Sequence, residues 1–288
     1  MAGVLINPPA ARFGASNAVL SGRAARYESR FAGPLSVKAV ISGSATWETE
    51  AGRFELVPGG ALLIHDDEPY EVTIDAPRPV ETFCFFFERG FVEDAFRAAT
   101  TSSAALLDGT PANRAMAFAE PLQFATPLAS ELRRAHALWR DGDSLEESFY
   151  AAATLLAETR RELEARASRL PALRASTRDE LARRVRVGTA FLHANLGRPI
   201  AVADAARAAC LSPFHFARLF ASFHGETPHR YLTRLRLAHA RALLRSDART
   251  VAEVAFACGF ESLGSFTTLF TRTVGVTPSL FRRIEETA

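Results

Sequence analysis

The groups in this sequence that could ligate a metal or carry acid–base chemistry are spread in a way that argues against both. Of seven histidines, the strand-rich N-terminal region holds one, His65, with no His-x-His pair beside it. His136 falls in a helical segment, and His193, His215, His224, His229 and His239 belong to the C-terminal part. A transition-metal site needs several imidazoles and a carboxylate converging on one ion, so no metal and no cofactor is expected. Cys84, Cys210 and Cys258 are too few and too scattered for a disulfide framework or a zinc cluster, which leads to the expectation of a reducing compartment, the cytoplasm. What the N-terminal residues could build is a pocket. Trp47, His65, Tyr70, Phe83 and Phe85 offer apolar walls with a few polar tips, the usual character of a small-molecule site, although each also fits plain sandwich core.

Elements able to position those residues can be read from periodicity. Between residues 35 and 87, short β-branched and aromatic runs alternate with Gly, Pro and Asp punctuation about every ten residues. Turns are expected at Ser42-Gly43-Ser44, Glu50-Ala51-Gly52, Pro58-Gly59-Gly60, Asp66-Asp67 and Ala76-Pro77. Val72 with Ile74, and then Val80, Thr82, Cys84 and Phe86, alternate as half-buried strands do. The pattern predicts a sandwich or small barrel. From residue 91 to 170 the period becomes helical. Leu128, Leu132, Ala135 and Trp139 form one stripe, and Leu145, Phe149, Ala152, Leu156 and Leu163 form another. Ser144 with Glu147, and Thr177 with Glu180, have capping-box spacing, and residues 172–178 read as a polar linker. The two stripes suggest a dimer interface, or a surface that joins two domains.

The remainder reads as helices throughout, with charge set apart from the rest of the chain. Residues 178–288 hold 16 Arg against 9 acidic residues, while residues 1–177 hold 18 Lys+Arg against 23 acidic ones. A basic part joined to an acidic one suggests that only the former meets a polyanion. Thr250 with Glu253 is another capping box, and Ser212-Pro213, Thr227-Pro228 and Thr277-Pro278 each place a cap before a proline at the first helical position. This region also repeats itself. Residues 202–206 match 251–255 at an offset of 49, and Phe216, Leu219, Phe220, Gly225, Thr227 and Pro228 match Phe266, Leu269, Phe270, Gly275, Thr277 and Pro278 at an offset of 50. The length change falls between Cys210 and Ser212 in one copy and between Cys258 and Ser262 in the other, so it marks a turn within a helix pair. Two helix-turn-helix units follow, joined by a 19-residue helix over 228–246 that at ~1.5 Å per residue spans roughly 28 Å. A rod of that length can hold two recognition helices about one DNA turn (~34 Å) apart.

The placement of glycine, phenylalanine and Thr-Pro in residues 251–283, VAEVAFACGFESLGSFTTLFTRTVGVTPSLFRR, resembles the DNA-binding domain of the AraC/XylS family of bacterial transcription regulators. The resemblance covers about 90 residues and implies seven helices. Carried over position by position, it implies base or backbone contacts from Pro213, Phe214, Ala217 and Arg218 in the first unit, and from Leu263, Gly264, Ser265, Thr267, Thr268 and Arg272 in the second. Arg218 suits a guanine, because a planar guanidinium can bond O6 and N7 together. Thr268 stands where many relatives have arginine, and Arg282 and Arg283 are further phosphate candidates. Strand spacing, with Pro58-Gly59-Gly60 before Leu62-Leu63-Ile64-His65, resembles the cupin-like sensor domain of the same family.

The expected fold is therefore a two-domain α+β chain. Residues 1–100 form a cupin-like β-sandwich or barrel sensor, 101–177 a helical connector and possible dimerisation segment, and 178–288 an all-α domain with two helix-turn-helix units. The expected function is sequence-specific regulation of transcription, with double-stranded promoter DNA as partner. RNA polymerase, a small effector and a second copy of the chain are further partners, and no membrane or catalytic role is expected. Fold analogy alone leaves one alternative, a cupin-type metal-dependent enzyme with a helical assembly domain.

Overall fold

A computed structural model of the chain describes residues 4–100, 122–124, 126–172, 174–246 and 249–286. Two long strands organise the N-terminal half: β2 (Ala18–Phe31) and β7 (Tyr70–Phe86), antiparallel from Ala18↔Phe86 to Phe31↔Tyr70. Along its other edge β7 pairs first with β4 (Ala45–Thr49), which pairs with β5 (Gly52–Leu56), and then with β3 (Ser36–Ser42). The sheet continues from β3 to β6 (Gly60–Ile64) and β8 (Leu122–Phe124), while the two-residue β1 (Leu5–Ile6) runs parallel to β2.

Two expectations about the strands need correction. Ala76-Pro77 does not end a strand. Ala24 pairs with Val80 and Arg26 with Asp75, so residues 76–79 bulge out of one 17-residue strand. Pro77 and Pro79 lack the N–H a ladder requires, and a bulge accommodates them while bending the strand from one set of partners to the other. Residues 18–31 form a strand that the pattern did not announce. Most of β2 faces solvent, so its Arg- and Glu-rich run shows little alternation and pairing with β7 decides its conformation.

Helices cover one face of this sheet. The chain continues into α1 (Phe91–Thr100), α2 (Pro127–Asp141) and α3 (Glu146–Ser168). The part of the helical expectation that falls on residues 101–121 lies outside the described residues. Both apolar stripes are used within the chain. Leu128, Leu132, Ala135, Phe149, Ala152 and Leu156 share a core cluster with Val37, Leu63, Phe83 and Phe85, and the rings of Phe85 and Phe149 stack 4.0 Å apart. The end of β7 is consequently buried on both faces instead of one. Ser144 is not a capping box: the residue before α3 is Leu145, without a side-chain cap. Thr177 lies inside α4 (Ala175–Ala194), which also absorbs most of the expected linker, because Leu163 and Leu170 pack against Ala182 and Val185 and give its first turns a partner.

After α4 come α5 (Val202–Ala208), α6 (Pro213–His224), α7 (Pro228–Ser246), α8 (Val251–Ala257), α9 (Leu263–Val274) and α10 (Pro278–Glu286). From residue 174 onward the described residues therefore hold seven helices. Phe216, Leu219, Phe220 and Phe223 of α6 are buried with α4 and α5, while Phe266 and Phe270 of α9 are buried with α7, α8 and Phe281. Each fully buried phenylalanine contributes roughly 1.5–3 kcal/mol.

Candidate nucleic-acid interface

The helix pairs α5–α6 and α8–α9 are built alike from local chemistry. Ser212 accepts a hydrogen bond from His215 N at the start of α6, and Ser262 accepts one from Ser265 N at the start of α9. Gly225 and Gly275 end the two helices with φ near 77° and 88°. The intervening turns pass through the left-handed region at Cys210, φ 52°, and Gly259, φ 76°. These positions are 49 apart and the capping serines 50 apart, so the extra residue of the second unit lies between the turn and the cap.

With the buried stripes fixed, the opposite faces are free. Pro213, Phe214 and Arg218 are exposed on α6 and Ala217 is half-buried; Phe214 is 80% exposed, unusual for so large an apolar ring. On α9, Leu263, Gly264, Ser265, Thr268 and Arg272 are exposed and Thr267 is half-buried. The electrostatic setting separates these arginines from their neighbours. Arg207 is tied to Asp204, Arg234 to Glu226 and Arg245 to Glu285, at 2.9, 2.8 and 2.8 Å. Among the described residues no carboxylate lies within ion-pair distance of Arg218 or Arg272, so their guanidinium groups face solvent uncompensated. Arg282 differs: it is half-buried, with Nε and Nη2 shielded from solvent. Arg283 is exposed.

Polar contacts set the position of α6 against the rest of the domain. His224 Nε2 is 3.0 Å from Thr189 Oγ1 on α4, and burial holds the imidazole down at about 3, so it is uncharged at neutral pH. His193 Nε2 on α4 is 2.8 Å from the Tyr231 hydroxyl on α7. These bonds join the first recognition unit to the long central helix.

The five residues expected to form a small-molecule pocket do not share one. Trp47 and Tyr70 are buried on the inner face of the strands with Phe54, Ile74 and Phe86. Phe83 and Phe85 alternate to the outer face, where Phe83 meets His136 and Trp139 and Phe85 meets Phe149. His65 sits just past β6, half-buried, its pKa lowered by burial and by the charge of Arg186 on α4. Among the described residues no group of three or more His, Cys, Asp or Glu is placed to hold a metal ion. The inner face also carries a group that the sequence reading passed over. Lys38, the only lysine in the chain, is 1% exposed and donates to the Tyr70 hydroxyl at 2.9 Å. Its inward position in the strand run SVKAVIS was the available signal.

The halves also touch. Arg249, before α8, pairs with Glu55 of β5 at 2.8 Å, and Val57 joins the core of the second helix pair.

Comparison with known proteins gives matches in both halves. A description of an AraC-like ligand binding domain matches residues 25–169, and one of a helix-turn-helix domain matches residues 205–284. A probable transcriptional regulator, LumQ, of Photobacterium leiognathi is 35% identical over 92 residues, which are 32% of this chain and 37% of that protein. The HTH-type transcriptional activator RhaS of Escherichia fergusonii is 49% identical over 59 residues, 20% of this chain and 21% of that one. The aligned stretches thus span about a third or less of the length of these curated relatives. A crystal structure of a transcriptional regulator with an AraC-type DNA-binding domain, from Chromobacterium violaceum, is 28% identical over 39% of this chain and 96% of its own, with a TM-score of 0.33. No helix of the described residues is long and apolar enough to cross a membrane.

Proposed function

The chain belongs to the AraC family, and from that premise we propose that it is a sequence-specific DNA-binding regulator of transcription whose strand-rich half controls its helical half. One observation carries the reading: α6 and α9, the second helices of a duplicated unit, both bury a phenylalanine stripe and both leave a capped, outward face whose arginines have no carboxylate among the described residues. Helix-turn-helix units place the N-terminal residues of that second helix against base edges in the major groove. In this reading Phe214 meets a thymine methyl or a sugar, Arg218 reads a guanine, and the hydroxyls of Ser265, Thr267 and Thr268 together with Arg272 contact backbone and bases.

The family's ligand-binding description supports a small effector in the N-terminal half. An effector can act on DNA affinity only through contacts that differ between two arrangements of the halves; the Glu55–Arg249 pair and Val57 are where the halves meet, and in this reading the effector acts on them. A homodimer on the operator and RNA polymerase at the promoter complete the reading, which assigns the chain no catalytic step and places it with the chromosome, in the cytoplasm. Selection of bound duplexes from a random pool by the full chain is the test. The expected product is a pair of half-sites about one helical turn apart, with affinity falling steeply as salt rises. A pool without enrichment overturns the proposal.

A further inference from the structure

The inner face of the strands carries a polar cluster that nothing in DNA binding uses. Ser36 and Lys38 point inward from β3, opposite Phe86 and Cys84 of β7. Lys38 Nζ lies 3.7 Å from the centre of the Phe86 ring and 4.6 Å from that of Tyr70, whose hydroxyl accepts its hydrogen bond. Ser36 Oγ, in a residue 1% exposed, has no hydrogen-bond partner, and the Cys84 thiol is buried alongside. The half-buried rings of Phe13 and Phe31 pack on Phe86, at 4.3 and 5.9 Å, and form the layer of this cluster that reaches solvent. Among the described residues no carboxylate lies within ion-pair distance of Lys38. Buried lysines are rare without such a partner, and this one is the only lysine in the chain.

We infer that Lys38 is a covalent recognition site for a small aldehyde, held as a reversible imine inside the strand-rich domain. The inference rests on that domain being the effector domain. Burial in apolar surroundings brings the Lys38 pKa down to about 7, so a large share of the amine is neutral and nucleophilic near neutral pH. Burial pushes the Tyr70 pKa up, which keeps its hydroxyl protonated and 2.9 Å from the nitrogen. The neutral amine attacks the carbonyl carbon, a C–N bond forms, and the oxygen takes a proton to give a carbinolamine. Tyr70 donates a proton as the C–O bond breaks, the nitrogen's remaining proton returns to Tyr70, and one water leaves. Amine and aldehyde thus become imine and water without oxidant or reductant. The rings favour this class of ligand over an anion, because their negative π faces repel a carboxylate and a neutral imine brings no charge into this apolar layer.

The experiment is reductive trapping on the full chain with benzaldehyde and cyanoborohydride, followed by peptide mapping. Because Lys38 is the sole lysine, label separates cleanly between its peptide and the N-terminal amine. The expected result is one adduct at Lys38 whose yield rises through a midpoint near pH 7, is absent in Lys38→Arg and forms several-fold more slowly in Tyr70→Phe. Phe13→Ala, which thins the outer layer, is expected to speed it. Label at Lys38 only after unfolding in urea, or label confined to the N-terminus, overturns the inference. So does stabilisation of the chain by benzoate without an adduct from benzaldehyde, which would make this an anion site. Trapping does not depend on DNA: a chain that forms the adduct but selects no duplex sinks the regulatory reading alone, and the reverse result sinks only this one.

Discussion

Cys210 and Gly259 occupy the same point of two successive helix pairs, each carrying the chain through the left-handed region, at φ 52° and 76°. Only one of the two is glycine. A side chain in that region costs about 1–2 kcal/mol, while glycine adds about 0.5–1 kcal/mol of unfolded-chain entropy, so the two effects nearly cancel. Cys210→Gly is expected to change stability in urea by less than about 1 kcal/mol. Gly259→Ala is different, because a Cβ there would sit 2.7 Å from the Leu196 carbonyl oxygen and 2.7 Å from Arg236 Nη2. A loss of roughly 2–3 kcal/mol is expected. Equal effects of the two substitutions would show that the turns are not held alike.

The same pairing sets a second test, at the caps. Thr250 accepts from Glu253 N, while the Glu253 carboxylate accepts from Thr250 N at 2.6 Å, a complete capping box. The matching position in the first unit is Ala201, whose backbone N–H donates to Asp204 at 3.0 Å but whose side chain offers no acceptor. Ala201→Thr is expected to raise the urea midpoint by the equivalent of ~1 kcal/mol, and Thr250→Ala to lower it by a similar amount. A neutral Ala201→Thr would mean that the start of α5 cannot adopt the capping geometry.

Much of this architecture was legible in the sequence, and the failures have physical causes. The duplicated unit could be read because its faces are set by local period and caps: α7 covers Pro228–Ser246 as expected, and Ser212, Thr227, Thr250 and Thr277 all cap helices. Phe83 and Phe85 were misplaced because aromatic content does not say which face of a strand meets solvent, and here the packing of α2 and α3 buries both faces. Thr177 and Ser144 have the right spacing for caps, yet the packing of α3 on α4 moves one helix start and Leu145 takes the capping position of the other. Lys38 is illegible to a reading that assigns lysine to surfaces, and only the inward parity of its strand separates it from a solvated side chain.

On DNA, the two exposed arginines are expected to differ in kind. Arg218→Ala should weaken binding to the selected sequence by ~1–3 kcal/mol and relax preference at one base pair, as loss of a bidentate contact does. Arg272, a turn further from the N-terminus of α9 than the base-facing residues, should act on phosphate, so Arg272→Ala should weaken all sequences alike and reduce the salt slope by about 1. Binding isotherms at several salt concentrations, on selected and scrambled duplexes, separate the two behaviours. Uniform weakening by Arg218→Ala would reassign it to the backbone.

Lys38 makes stability depend on pH with a definite sign. Its pKa falls from 10.5 when unfolded to about 7 when folded. Between those values the unfolded chain binds more protons, so the lysine's contribution improves as pH rises from about 7 to 10 and its penalty is complete below 7. The full difference is of the order of 5 kcal/mol. Burial raises the pKa values of Cys84 and Tyr70, the titratable groups facing it, which keeps both neutral through most of this window. Comparison with Lys38→Met removes the background from other groups. The variant is expected to be the more stable at pH 6, with the gap closing toward pH 10, in urea titrations at each pH. A gap independent of pH would mean that Lys38 keeps its charge when buried.

The contact between the halves is tested best from the helical side. Gly52, at the β4–β5 turn with φ 132°, approaches α4 so closely that a Cβ would lie 2.5 Å from that of Ala194, which is 7% exposed. A cleft of about 850 Å³ opens beside this contact, between the hairpin and helices α4 and α7, and the Glu55–Arg249 pair lies on its wall. Ala194→Leu adds volume where none is free and should cost about 1–3 kcal/mol, relieved by moving the hairpin away while the strand pairing of β2 with β7 stays intact. Hydrogen exchange is then expected to quicken in β4, β5 and the last turn of α4, with protection of β3 and β7 unchanged. If α4 and the hairpin form the path by which the strands address the DNA-binding helices, Ala194→Leu and Glu55→Gln should leave duplex selection unaltered and blunt any effect of an effector on affinity. Faster exchange across the whole strand domain would instead show that the hairpin is part of its folding core, with no independent freedom to transmit a signal.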